Sequence, residues 1–257
     1  MVPKRCTYLA LLVTPAIALA GCEQNPVTGR SQLILISDEQ ATEMGAQAYQ
    51  QILSQSQKGT AAQQQRIEQI GRRIVQAAGA PATKESWTFN VIRDDTPNAF
   101  ALPGGKVGVH TGMLDAVASD DQLAAVIAHE IAHVTARHSA ERLSRQALTQ
   151  AGVGAAGAGL NSPTGAQLLA QAAQLGLILP FSRGQESEAD RLGMRYMAQA
   201  GYDPRAAVQV WEKFAAAGGD RQPEFLSTHP HSSSRAKELQ EYVDEVMPIY
   251  RKNARGK

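Results

Sequence analysis

The chain has 257 residues, 43% of them hydrophobic, with 25 basic against 24 acidic side chains and a formal net charge of +1. A charge this close to balance makes no case for a nucleic-acid surface, and the apolar content suffices for one well-packed domain. Only two cysteines are present, Cys6 and Cys22, so no disulfide framework is available.

The first residues form a sorting signal. Lys4 and Arg5 are a short positive region, residues 8–20 are an apolar stretch too short to span a bilayer comfortably, and Leu19-Ala20-Gly21-Cys22 closes it with small residues before a cysteine. This resembles a bacterial lipobox. It assigns residues 1–21 to a lipoprotein signal peptide and makes Cys22 the acylated N-terminus of the mature chain. Glu23 follows the cysteine rather than Asp, which under the sorting rule of enteric lipoproteins favours the outer membrane over the inner. Cys6 leaves with the signal and Cys22 carries lipid, so core packing and metal must hold the mature protein together in an oxidising compartment.

Residues 22–36 read as the lipidated N-terminus and a polar linker with Pro26 and Gly29, ending in the apolar run Leu33-Ile34-Leu35-Ile36. A single domain occupies 37–257. Ser37 with Gln40 forms a capping-box pattern that opens a helix to about Tyr49. The Gln-rich stretch 55–65 is a loop or helix start, and 66–78 is a second helix closed by Gly79 and Pro81. Residues 87–92, 98–102 and 106–110 carry strand patterns, the last two joined by Pro103-Gly104-Gly105. They predict a small sheet before a helix capped by Ser119 or Asp120. Residues 147–182 contain no charged side chain, but Asn161-Ser162-Pro163-Thr164-Gly165 divides them into halves that each make a poor membrane span. A mobile helical hairpin near the active site, or a membrane-contacting surface, fits better. The tail from Tyr202 holds further helices, with Trp211 and Phe214 in the core.

Chemistry enters at His129-Glu130-Ile131-Ala132-His133. At about 100° per residue, His129 and His133 share one helix face, one turn apart, and reach one ion. Glu130 lies about a quarter turn away, off the ion but beside the attacking water, where a carboxylate serves as general base. Leu123, Val126, Ile127, Ile131 and Val134 surround the motif and bury it, and two unpaired histidines would be costly there. A hydrolytic site needs a third protein ligand. Glu186 and Asp190, four apart at the start of a second helical run, share a face, so one carboxylate binds the ion while the other orients a ligand imidazole. Glu188 points away from both. His138 falls about 180° round the helix from His129 if the helix continues, and Ala136 and Ser139 stand where the metzincin pattern needs Gly and His. His138 therefore reads as a solvent-facing or packing residue.

Several separated motifs now stand in one order: Asn25-Pro26-Val27-Thr28-Gly29-Arg30, Asn98-Ala99-Phe100-Ala101-Leu102-Pro103-Gly104-Gly105, the histidine helix, Glu186 with Glu188-Ala189-Asp190-Arg191-Leu192-Gly193, and Ser227-Thr228-His229-Pro230 followed by Arg235. Together they resemble the HtpX and CaaX-prenyl-protease family of zinc metallopeptidases, in its periplasmic lipoprotein branch of the BepA and LoiP type. The resemblance implies a mainly helical, gluzincin-like α+β domain whose small β-sheet forms the cleft rim. It implies one Zn2+ per chain, held by His129, His133 and Glu186, with Glu130 as catalytic base and Asp190 and His229 completing the catalytic group. His229 would stabilise the oxyanion or occupy the open ligand position. Asn98, Ala99, Phe100 and Arg235 would bind substrate, which adds as a strand at the rim. The expected activity is that of a lipid-anchored zinc endopeptidase at the periplasmic face, acting on misfolded or misassembled envelope proteins alongside outer-membrane assembly machinery. The rival is a zinc-containing chaperone or assembly factor. Clear spanning helices are lacking, which separates the chain from the integral-membrane branch.

Overall fold

The computed structural model describes residues 22–155, 180–217, 223–230 and 233–254. The expected signal peptide, residues 1–21, and the greater part of the uncharged stretch 147–182 lie outside the described residues. Among the described residues, no helix is long and apolar enough to cross a membrane.

The stretch expected to be a linker is instead a hairpin, with β1 (Cys22–Gln24) antiparallel to β2 (Ser31–Leu33). Asn25 makes the turn: its side-chain oxygen accepts from the main-chain N–H groups of Val27 and Thr28, and Gly29 takes a φ of 74°. The apolar residues after it dock in a second, small core, where Ile34 and Ile36 meet Ala41, Ala140, Leu143 and Ala147.

Helix α1 (Asp38–Gln55) starts at the expected capping box, Ser37 accepting from the N–H of Gln40 while the Gln40 side chain returns to the Ser37 N–H. It runs six residues past Tyr49 because nothing in 50–55 breaks it. A second capping box, Thr60 with Gln63, opens α2 (Ala61–Ala78), and Ile67, Ile70 and Ile74 form its buried stripe. Gly79 ends α2, but Pro81 sits in the first turn of the short α3 (Ala80–Thr83), where its missing N–H costs nothing.

The sheet follows. Strand β3 (Thr88–Ile92) is parallel to the central β5 (Lys106–His110), and β4 (Ala99–Leu102) is antiparallel to β5 on the other side, so β4 is an edge. After α4 (Thr111–Ala116) comes α5 (Asp120–Thr135), capped by Ser119. Residues 123–133 of α5 are buried on every face. Around it stand α2, β4, α7 (Arg183–Gln199) and α8 (Arg205–Ala216), with α6 (His138–Ala155) following it in the chain. Helix α7 crosses close to α5 at Gly193, where a Cβ would lie 3.0 Å from the main-chain nitrogen of His129. The short α9 (Phe225–Thr228) and α10 (Ser233–Ala254) complete the described chain. Trp211 and Phe214 are in the main core, as their tail position predicts.

Candidate active site

His129 and His133 project from one face of α5, and the first turn of α7 brings Glu186 against them. A third capping box, Ser182 with Gln185, fixes where that turn starts and hence where Glu186 points. His229 enters from the end of α9, its ring stacked on Phe225 at 4.3 Å. These four buried residues place one ligand atom each within 4.8 Å of the others. Nε2 of His129 is 3.0 Å from Nε2 of His133 and 3.2 Å from Nδ1 of His229. Glu186 stands 3.4 Å from each α5 imidazole and 3.0 Å from His229.

This donor set fits a zinc ion. Two donors about 2.0–2.1 Å from one tetrahedral ion lie roughly 3.3–3.4 Å apart, the spacing seen here, and neutral imidazole with carboxylate is zinc's usual ligand chemistry. Three ring nitrogens crowding one another and a carboxylate cannot all be satisfied by hydrogen bonds among themselves, whereas one cation satisfies them together.

The electrostatics are those of a site built around positive charge. Burial opposes charge on His129, but Asp190 and Glu186 outweigh it and raise its pKa to about 9. Burial also works against the Glu186 carboxylate, yet His229 and Arg235 hold its pKa well below the ordinary range. His133 is shifted down by burial. Glu130 is displaced upward, chiefly because it is buried, although His229 and the Ala101 N–H favour its charged form. Its Oε1 lies 3.3 Å from Nε2 of His229 and has no hydrogen-bond partner among the described residues.

A cavity of about 170 Å³ opens on this carboxylate. Phe100, Ala101 and Leu102 of β4 and Asn98 just before it line this cavity, together with Phe181, Arg142 and His229. The register leaves the main-chain groups of Ala99 and Ala101 facing away from β5, because the His110 N–H donates to the carbonyl of Asn98. Asn98 keeps a buried side-chain oxygen that has no hydrogen-bond partner among the described residues.

Two expectations are corrected. Arg235 is not on the cavity wall: it is buried on Trp211, 3.9 Å from the ring centroid, with Nη1 2.6 Å from Glu186, Nη2 2.8 Å from Asp190 and Nε on the same Asp190 carboxylate. A guanidinium whose donors are spent on two buried carboxylates cannot also take substrate. The side chain of Ala99 is buried in the core and does not line the cavity. Asp190, too, stands behind the site, its Oδ1 3.0 Å from Nδ1 of His129, at an angle that falls short of a hydrogen bond.

Sequence reasoning also misplaced His138. Helix α5 stops at Thr135, Arg137 adopts φ 58°, and α6 begins at His138, so the premise of a continuing helix fails. The left-handed residue reverses the chain and returns His138 to the back of His133, where Nδ1 meets Nδ1 at 3.0 Å. Glu188 does point away from the ligand cluster, but onto His138, 2.9 Å from its Nε2. The single Arg137-His138 step after the motif was the available signal, unreadable without knowing where the helix ends.

Residues 61–243 match the sequence profile of peptidase family M48. The chain belongs to that family. It is 43% identical over 182 residues to the mitochondrial metalloendopeptidase OMA1 of Schizosaccharomyces pombe, covering 70% of this chain and 53% of that one. OMA1 of Saccharomyces cerevisiae is 35% identical over 271 residues, 95% of this chain and 76% of the relative. The beta-barrel assembly-enhancing protease of Escherichia coli is 34% identical over 196 residues, 72% and 40% respectively. This M48 chain thus spans about half the length of the first of these relatives and less of the bacterial one. The histidine helix, β4 and α7 all fall inside the matched region.

Proposed function

We propose that this M48 chain is a zinc-dependent endopeptidase, lipid-anchored through Cys22 at the periplasmic face of the envelope, more at the outer membrane than the inner, hydrolysing peptide bonds in misfolded or misassembled envelope proteins. The observation that carries the reading is the junction of three elements at one point: the ligand cluster of His129, His133, Glu186 and His229, the buried Glu130 beside it, and a cavity along a strand edge that is unpaired among the described residues. A purely structural ion would need neither the carboxylate nor the cavity.

His129, His133 and Glu186 would hold the ion, which when bound supplies Lewis-acid polarisation of the scissile carbonyl and lowers the pKa of water. An extended substrate pairs with the main-chain groups of Ala99 and with the Ala101 carbonyl, which face away from β5, and so lays its backbone across the mouth of the cavity. Glu130, raised by burial and aligned by the Ala101 N–H, takes a proton from the attacking water and returns it to the leaving amine. His229 closes the site in this structure, since its Nδ1 fills the fourth place in the cluster. Substrate turnover then requires withdrawal of His229 from that place.

Incubating the full chain, zinc-loaded in detergent, with unfolded casein tests the reading. Cleavage abolished by a chelator and restored by zinc supports it, and His229→Ala should raise the basal rate. Stoichiometric zinc with no cleavage in either protein would favour the chaperone alternative. For the anchor, Cys22→Ser should abolish lipid attachment. A variant still processed and acylated would refute that assignment.

A further inference from the structure

The two α5 imidazoles solve one problem in different ways. A metal-binding imidazole must present an unprotonated nitrogen to the ion, so its other nitrogen must carry the proton and give it to an acceptor. For His129 the residue at Nδ1 is Asp190. For His133 no carboxylate is at Nδ1; another imidazole is there, Nδ1 of His138, 3.0 Å away and fully buried.

Two neutral imidazoles joined Nδ1 to Nδ1 can share only one proton along that line. If Nε2 of His133 is bare toward the ion, its proton is on Nδ1 and His138 accepts it. His138 must then carry its own proton on Nε2, and that nitrogen lies 2.9 Å from Oε2 of Glu188. The Glu188 carboxylate is the acceptor that selects this tautomer. The chain of proton positions runs from Glu188 through His138 to His133 without a gap.

Glu188 is itself placed from the other end of the sequence. Arg30 Nε donates to its Oε2 at 2.7 Å, Asn25 Nδ2 to its Oε1 at 3.1 Å, and the Thr28 hydroxyl to the same Oε1. Arg30 also grips the buried Glu141 of α6, at 2.7 and 3.1 Å. Asn25 and Gln32 both donate to the carbonyl of Ala136, in the turn that aims His138. The hairpin after Cys22 thus holds both the carboxylate and the turn on which His138 depends.

We propose that His138 is a positioning residue that fixes the tautomer of His133, that Glu188 sets His138 in turn, and that the Asn25–Arg30 turn of the N-terminal hairpin is the outer support of this relay. The segment next to the membrane anchor is therefore part of the metal site's construction. The proposal rests on His133 being a metal ligand, as the function above requires.

Two measurements on the full zinc-loaded chain decide it. Histidine-selective 15N NMR should show His138 neutral with its proton on Nε2. A proton on Nδ1 alone, or an imidazolium, overturns the proposal whatever any variant does. Zinc affinity by competition with a chromophoric chelator should fall about 10–100-fold in His138→Leu. His138→Asn, which restores an acceptor near the position of Nδ1, should recover most of it. Glu188→Leu and Arg30→Met should fall between wild type and His138→Leu, and they serve as the affinity test if His138→Leu does not fold. The visible spectrum of the cobalt-substituted protein should change in His138→Leu, while the melting temperature of the metal-free form changes little. His133→Ala is the control that separates the two readings. If it loses zinc while the His138, Glu188 and Arg30 variants bind as wild type, the relay is wrong and the metal site stands. If it binds zinc as wild type, the metal assignment itself fails and takes the relay with it.

Discussion

The two flanks of the ligand cluster differ in how directly they reach it. Behind His129, Asp190 and Arg235 form a dry ion pair contributed by α7 and α10, each no more than 5% exposed. Behind His133, support passes through a second imidazole to Glu188 and then to Arg30, whose side chain is 34% exposed. A short, buried, charged flank gives rigidity at the cost of strong dependence on each member. A long flank with solvent at its far end spreads the dependence over several weaker contacts, and those contacts come from the N-terminal hairpin. The difference predicts that damage should grade steeply on the first flank and gently on the second.

The largest effect should come from the residue between the flanks that belongs to neither. Glu130→Gln keeps the volume and leaves both flanks intact, but an amide cannot take and return the proton. Casein cleavage should fall by about two or more orders of magnitude while zinc content and melting temperature stay near wild type. A parallel loss of stability would show that Glu130 belongs to the support rather than the chemistry.

Next is the dry flank. Arg235→Leu leaves Glu186 and Asp190 buried without their cation, and breaking such a pair typically costs about 3–5 kcal/mol. Urea unfolding of the metal-free protein should show a loss of this size, accompanied by weaker zinc binding. An unchanged midpoint would mean that water or another cation replaces the guanidinium, and the contrast between the flanks would collapse. Gly193→Ala probes the same side mechanically. The added methyl meets the α5 backbone near His129 at about 3.0 Å, and overpacking of this kind costs about 1–3 kcal/mol. It should shift α7, and Glu186 with it, so zinc affinity should drop along with stability.

What the sequence made legible follows the same division. The histidine helix, the three strands of the main sheet and the Ser37–Gln40 cap are local patterns, with periods and cap signals contained within a few residues, and they appear where those patterns place them. That Glu186 and Asp190 both face the histidine helix could be anticipated because a four-residue spacing puts them on one helix face, although the spacing does not say which of them meets which imidazole. The other flank could not. The role of His138 depends on α5 ending at Thr135 and on a left-handed Arg137, and no propensity forces a non-glycine residue into that conformation. The hairpin hid in a linker-like composition because its stability comes from Glu188, Glu141 and the Ala136 carbonyl, all more than 100 residues away. Arg235 was misassigned for a similar reason: a family position near the site does not say whether a side chain faces the cavity or the carboxylates behind it.

The smallest effect tests the solvent end of the long flank by pH. Burial works against the Glu188 carboxylate, but hydrogen bonds from His138, Thr28 and Arg30 outweigh it and lower its pKa to about 2. A carboxyl depressed in the folded state contributes stability that is fully present above its unfolded pKa, roughly 4.3. That contribution is lost as pH falls toward 2. Glu188→Gln removes the titration while keeping the shape. Because Arg30 is partly exposed, solvent screening cuts the contribution to about 1–2 kcal/mol, or a few degrees of melting temperature for a domain this size. In the metal-free protein the gap between wild type and Glu188→Gln should therefore be widest at pH 6–7 and close steadily between about pH 5 and 2. A gap that stayed constant over that range would mean that the Glu188 contacts act through shape alone, and that its charge does not anchor the His138 side.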